Sequence, residues 1–145
     1  ELQTIKANQL SGDQKVQLSG TTVVLSQLSS DSTAWRFWGT SVGTTDAGRE
    51  LPVGAYSERM IILANDTNAV VSSVALTMHV IVNGERVVRR HEDYENIPVG
   101  ATLVIDGSNS QLINQPYTHL TLRSQTGSGS GHTEGEQKFT VLGRN

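Results

Sequence analysis

Residues 69–88, AVVSSVALTMHVIVNGERVV, carry the reading that decides the fold. Val70, Val74, Leu76, Met78, Val80 and Val82 fall on alternate positions, while Ser73, Ala75, Thr77 and His79 fill most of the gaps. That two-residue period is the pattern of a half-buried strand. Asn83-Gly84 follows, and a type I′ turn needs positive φ at both central residues, which Gly adopts freely and Asn tolerates. The stretch therefore predicts a long strand, a tight turn and a returning strand.

Outward from this hairpin, the composition is that of a β protein. The chain has 145 residues, enough for one domain with a sizeable core. Apolar residues make up 36% and charged residues 17%. The remainder is largely Ser, Thr, Gly, Asn and Gln, which argues against helical bundles and coiled coils. A formal charge of -3, with 11 basic residues scattered along the chain, gives no phosphate-tracking stripe and so no nucleic-acid partner. No apolar run is long enough for a membrane span, and no signal-peptide pattern is present. Without cysteine the core alone must hold the fold. Glu at position 1, with no Met before it, is what proteolytic maturation or trimming would leave.

Residues 1–20 are polar with isolated apolar positions, among them Leu2 and Ile5. They read either as an arm that orders against a neighbour or as an edge strand near 14–18; residues 21–145 are expected to form the domain proper. A strand is expected over 21–28. At 34–38, AWRFW, alternation puts Trp35 and Phe37 on one face and Arg36 and Trp38 on the other. One tryptophan should thus face away from the main core, either into a second packed layer or into an interface. Residues 39–54 read as a loop. Further strands are expected at 56–63, 101–105, 117–123 with Leu120 and Leu122 inward, and 137–142 with Phe139 and Val141. Turns are expected at 65–68 and 106–110, and a linker-like tip at 125–135. Eight or nine short strands without a convincing helix imply an all-β, antiparallel two-sheet β-sandwich, jelly-roll or Ig-like.

The candidates for chemistry are few. His91-Glu92-Asp93-Tyr94-Glu95 gathers a histidine and three carboxylates, but no second group lies at a ligand-like spacing, so it reads as a solvated loop. His79 reads as a packed or interface histidine, and His119 and His132 stand alone. There is no G-x-S-x-G elbow, and TGSGSG at 126–131 lacks the lysine and helix of a phosphate loop. The expectation is no catalytic residue, no metal and no cofactor. Interest falls instead on the returning arm of the hairpin. Arg86, Arg89 and Arg90 lie there, and a plain two-residue turn would oppose Val80 to Val87 and Met78 to Arg89. Either a bulge shifts this register, or both faces of the hairpin are partly covered.

Two nearly identical pentapeptides, LPVGA at 51–55 and IPVGA at 97–101, each precede a strand and predict a repeated corner. With the alternating strand closed by Asn83-Gly84 between them, Asn65 in the preceding turn and IPVGATLVIDG after, the pattern over 51–141 resembles small all-β structural proteins of tailed bacteriophage virions. It departs from them in having Gln115-Pro116-Tyr117 where many carry a Gly-Asp pair. The resemblance implies a capsid decoration, head-tail or tail component on the virion exterior. Its partners would be major capsid or other virion subunits, and self-association, as a trimer for example, is implied with them. Interface candidates are Trp38, Arg36, Arg86, Arg89, Arg90, Leu2 and Ile5. Two rival readings stand beside this one. One is a carbohydrate-recognising sandwich using Trp38, Tyr56 or Tyr117 as stacking platforms. The other is a pilus-type subunit that exchanges a strand through residues 1–18.

Overall fold

A computed structural model describes residues 20–30, 50–127 and 132–145, and the backbone of strands 34–38 and 41–43. The expected arm at 1–20, with Leu2 and Ile5, lies outside the described residues but for Gly20, as does the tip of the 125–135 loop. Among the described residues every regular element is a strand: β1 (Val23–Ser30), β2 (Ala34–Trp38), β3 (Ser41–Gly43), β4 (Leu51–Pro52), β5 (Glu58–Thr67), β6 (Val71–Val82), β7 (Glu85–Ile97), β8 (Thr102–Ile105), β9 (His119–Thr126) and β10 (Gly135–Arg144). They form two antiparallel sheets, one ordered β1-β10-β5-β8 and one β3-β2-β9-β6-β7 with β4 also pairing β9. This is the β-sandwich that the alternation predicts.

The core lies between the sheets. Ile61, Leu63, Ile105, Phe139 and Val141 from one sheet share a buried cluster with Val71, Val74, Leu76, Met78, Leu120 and Leu122 from the other. Each such side chain contributes roughly 1.5–3 kcal/mol when removed from water. Alternation is strict along β5, where Arg59, Ile61, Leu63, Asn65 and Thr67 are buried in turn. The two polar ends of that row are satisfied by the chain itself. The Arg59 guanidinium donates to the carbonyls of Ile113, Gln115 and Tyr117 at 2.6–3.0 Å, and burial lowers its pKa. Asn65 donates to the carbonyls of Ala69, Ile97 and Pro98 at 2.9–3.1 Å and accepts from the Thr67 amide and hydroxyl. One residue pins the long loop before β9 and the other pins the second corner.

Several boundaries differ from the sequence expectation, each for a physical reason. Asn65 lies inside β5 and not in a turn, because its tertiary hydrogen bonds outweigh the turn preference of the Asn-Asp-Thr-Asn run. The segment 91–96 is strand and not loop, continuing β7 as a charged sheet edge. Within the expected loop at 39–54 lie β3 and β4. In β6, Ser72 is an extra residue against β9, so Val71 is buried and Val70 is exposed. Val82 is also exposed, since the hairpin overruns the core.

The pentapeptides do not build the same corner. At the second, Ala101 N–H donates to the Pro98 carbonyl at 3.0 Å and Gly100 has φ of 80°, the geometry of a type II turn. At the first, the turn begins one residue later: Tyr56 N–H donates to Val53 at 3.1 Å, Gly54 has no positive φ, and the Val53 and Gly54 amides both donate to Thr118. Val53 is buried where Val99 is exposed. The local sequence is shared, and the neighbour that receives it differs.

Candidate functional site

The outer face of the larger sheet is built by β9, β6 and β7. Because β6 turns Val74, Leu76 and Met78 to the core, Ala75, Thr77 and His79 face outward. Directly paired residues share a face, so three rows cross the sheet: Arg123, Ala75 and Asp93; Thr121, Thr77 and His91; His119, His79 and Arg89. Ala75 and Thr77 form the floor of a groove of about 210 Å³, walled by Arg89, His91, Asp93, Thr121 and Arg123. Small residues on β6 between charged ones on the flanking strands make the hollow.

His79 is 1% exposed, and its Nε2 lies 3.2 Å from the Thr121 hydroxyl. It is a packed histidine, one of the two roles expected for it. At the tip of the hairpin, Asn83 and Gly84 have φ of 53° and 80°, as the type I′ turn requires. Val87 is an extra residue between Arg86, opposite Ile81, and Val88, opposite Val80. This bulge shifts the register by one, so Met78 pairs with Arg90 and not with Arg89. Of the two explanations open for the mixed pattern of this arm, the shift is present, and Val87 is left 55% exposed.

The bulge divides the arginines. Arg86 is ion-paired with Glu50, whose side chain is largely covered, so it fastens the hairpin end to the segment before β4. Arg90 donates to the backbone carbonyl of Arg89 at 3.1 Å. Arg89, on the groove side, lies on the same face as His91 and Asp93. Arg36 pairs in backbone register with Arg123, and Trp38 with Ser41, but the side chains of β2 lie outside the described residues.

The inward side of β7 is already engaged. Glu92 accepts from the Ser110 hydroxyl, from the Gln111 amide at 3.0 Å and from the Tyr94 hydroxyl at 3.3 Å. Burial raises the Tyr94 pKa, the Ser110 contact lowers it, and the Glu92 charge raises it again. The carboxylates of 91–95 are therefore split by alternation, with Glu92 bound to a loop and Asp93 facing the groove. Among the described residues no three His, Asp or Glu converge as a metal would need, and no helix is long and apolar enough to cross a membrane.

The tyrosines offered as sugar platforms have structural work. The Tyr56 ring covers Gly143, where an added Cβ would come within 2.7 Å of it, and Tyr117 packs against the core. Among the described side chains no aromatic lines the groove; Trp38, also offered as a platform, has its side chain outside them. Sequence reasoning missed Arg59, Asn65 and Arg123. A signal for the first two existed, since polar residues at alternate positions flanking Ile61 and Leu63 extend the inward row of β5.

No family model matches the chain, and no curated protein sequence matches it. Among solved structures, the chain is similar to one of infectious bursal disease virus, Gx strain, at 14% identity and a TM-score of 0.32, over 86% of this chain and 27% of that one. It is also similar to the enzymatically active domain of tailspike protein 4 of bacteriophage CBA120, at 14% identity and a TM-score of 0.40, over 88% and 20%. A family 11 carbohydrate-binding module from Clostridium thermocellum matches at 11% identity and a TM-score of 0.38, over 81% and 84%. The chain thus spans only about a quarter of the viral chain and a fifth of the tailspike chain. The likeness is too distant to carry any activity or partner across.

Proposed function

We propose that this chain is a non-enzymatic structural subunit of a bacteriophage virion, a capsid decoration or cement protein on the exterior of the capsid or tail. Its partners are major capsid or other virion subunits and further copies of itself, and it works by adding contact surface. The observation that supports this most is β7, a 13-residue strand at the end of the larger sheet. Its residues are mostly exposed, so the core does not need them, yet it is long, regular and ready to pair. The resemblance of the sequence over 51–141 to virion structural proteins points the same way through its hairpin, although its two pentapeptides fold into different corners. A sugar-binding role has less support, because Tyr56 and Tyr117 are committed to packing and, among the described side chains, no aromatic lines the groove.

The test is the mass of the assembly in which the chain is naturally found. Recovery in a megadalton shell or tail is the expected result. A lone monomer that binds neither shells nor tail tubes would overturn the reading, and a thin filament would assign the chain to the pilus class instead.

A further inference from the structure

The free edge of β7 carries more than availability. Among the described residues β7 pairs only with β6, and no backbone–backbone hydrogen bond from another segment reaches residues 85–96. Past the Val87 bulge, the strand is basic in its first half, at Arg89 and Arg90, and acidic in its second, at Glu92, Asp93 and Glu95. Such a strand is complementary to itself when reversed. We propose that β7 pairs antiparallel with β7 of a second copy about a two-fold axis through His91, joining the two larger sheets edge to edge. The proposal deepens the assembly reading above by naming a contact, and rests on it only in expecting self-association.

The register follows from alternation and charge. In an antiparallel ladder directly opposed residues share a face, so only registers centred on a residue are open to this two-fold. Centring on Arg90 opposes it to itself, and centring on Glu92 does the same for a carboxylate; like charges directly opposite destabilise a ladder. Centring on His91 opposes Arg89 to Asp93 twice, Arg90 to Glu92 twice, and Val88 to Tyr94 twice. The last is an aromatic pair with a β-branched residue, of the kind that stabilises ladders. On the groove face the rows then run on without a break. Asp93 comes to lie between Arg123 of its own chain and Arg89 of the second copy. The side chains of Arg89 and Asp93 make no ion pair among the described residues, so they are available.

The Val87 bulge ends the regular ladder on one side and Asn96, with φ of 58°, ends it on the other. A contact limited to residues 88–94 is small beside the roughly 1,200–2,000 Å² of a stable interface. The dimer is therefore concentration-dependent, and would be reinforced by the crowding of copies on a shell.

Sedimentation of the full chain over a concentration series tests this, with circular dichroism to verify that each variant is folded. The parent is expected to pass from monomer to dimer. R89D alone and D93R alone should each weaken dimerisation roughly tenfold or more, since each opposes like charges twice. Mixing the two variants should restore it, because both pairs become complementary again between unlike chains. A parent that stays monomeric, or forms a trimer only, overturns the proposal. So does a dimer indifferent to either substitution, or a mixture that fails to recover. A monomer that still binds shells would sink this contact alone and leave the assembly reading standing.

Discussion

β6 and β7 are the two arms of one hairpin, joined by two residues and paired along nearly their whole length, yet they meet opposite environments. β6 has a strand on each side and buries Val71, Val74, Leu76, Met78 and also Thr77 and His79. Among the described residues β7 has a strand on one side only, and of its own residues Ile97 alone is buried. Both arms form regular ladder, so being strand does not imply being core. Position in the sheet order decides what each arm is for: the central strand supplies stability, and the edge strand, beyond the Arg86 and Glu92 contacts that tie it to the fold, supplies a charged outer face at Arg89, His91 and Asp93.

The largest expected effect breaks the comparison on the β6 side. Leu76→Asp would place a carboxylate at a fully buried site and remove a leucine from the core. The loss should exceed about 4 kcal/mol, enough to unfold the domain. Thermal denaturation by circular dichroism checks it, and a variant with the parent midpoint would refute the assignment of β6 as the central core strand.

A smaller effect sharpens the comparison at the corner where β7 ends. Gly100→Ala forces a side chain into the left-handed region and should cost about 1–2 kcal/mol. Gly54→Ala should cost less than Gly100→Ala, because Gly54 has no positive φ and an added Cβ would meet Thr118 at 3.4 Å. Urea midpoints of the two variants measure the gap, and equal losses would mean that the corners are alike after all.

Deleting Val87 should have the least effect. The residue is exposed, and its removal leaves Val80 opposite Val88 and Ile81 opposite Arg86 in an unbroken ladder. Stability should change by less than about 1 kcal/mol. A large loss would show that the bulge is needed to seat Arg86 against Glu50.

How legible all this is in the sequence also divides between the arms. Alternation reveals β6 and its inward Val74, Leu76 and Met78, because a half-buried central strand writes its period directly into hydropathy. The parity change at Ser72 leaves no such trace, since a bulge is a pairing event and nothing in Ser-Ser marks it. Residues 91–96 look like loop because charge is read as solvation, whereas an edge strand can be solvated and regular together. The three arginines of β7 are visible as a group, but not their separation into one tied to Glu50 and two beyond the bulge. That depends on a residue 36 positions away. Asn65 misleads for the same reason, as its partners are the carbonyls of Ile97 and Pro98. Trp38, Arg36, Leu2 and Ile5 lie where the described side chains do not reach.

Amide hydrogen exchange read residue by residue on the full chain, in dilute and in concentrated solution, tests the division of labour most directly. Amides of β6 within the core should be protected at both concentrations. Alternate amides of residues 88–94, those pointing away from β6, should exchange fast in dilute solution and slow down as concentration rises. If those alternate amides are protected already in dilute solution, or stay fast while the mass of the particle doubles, β7 is not the free edge through which copies meet.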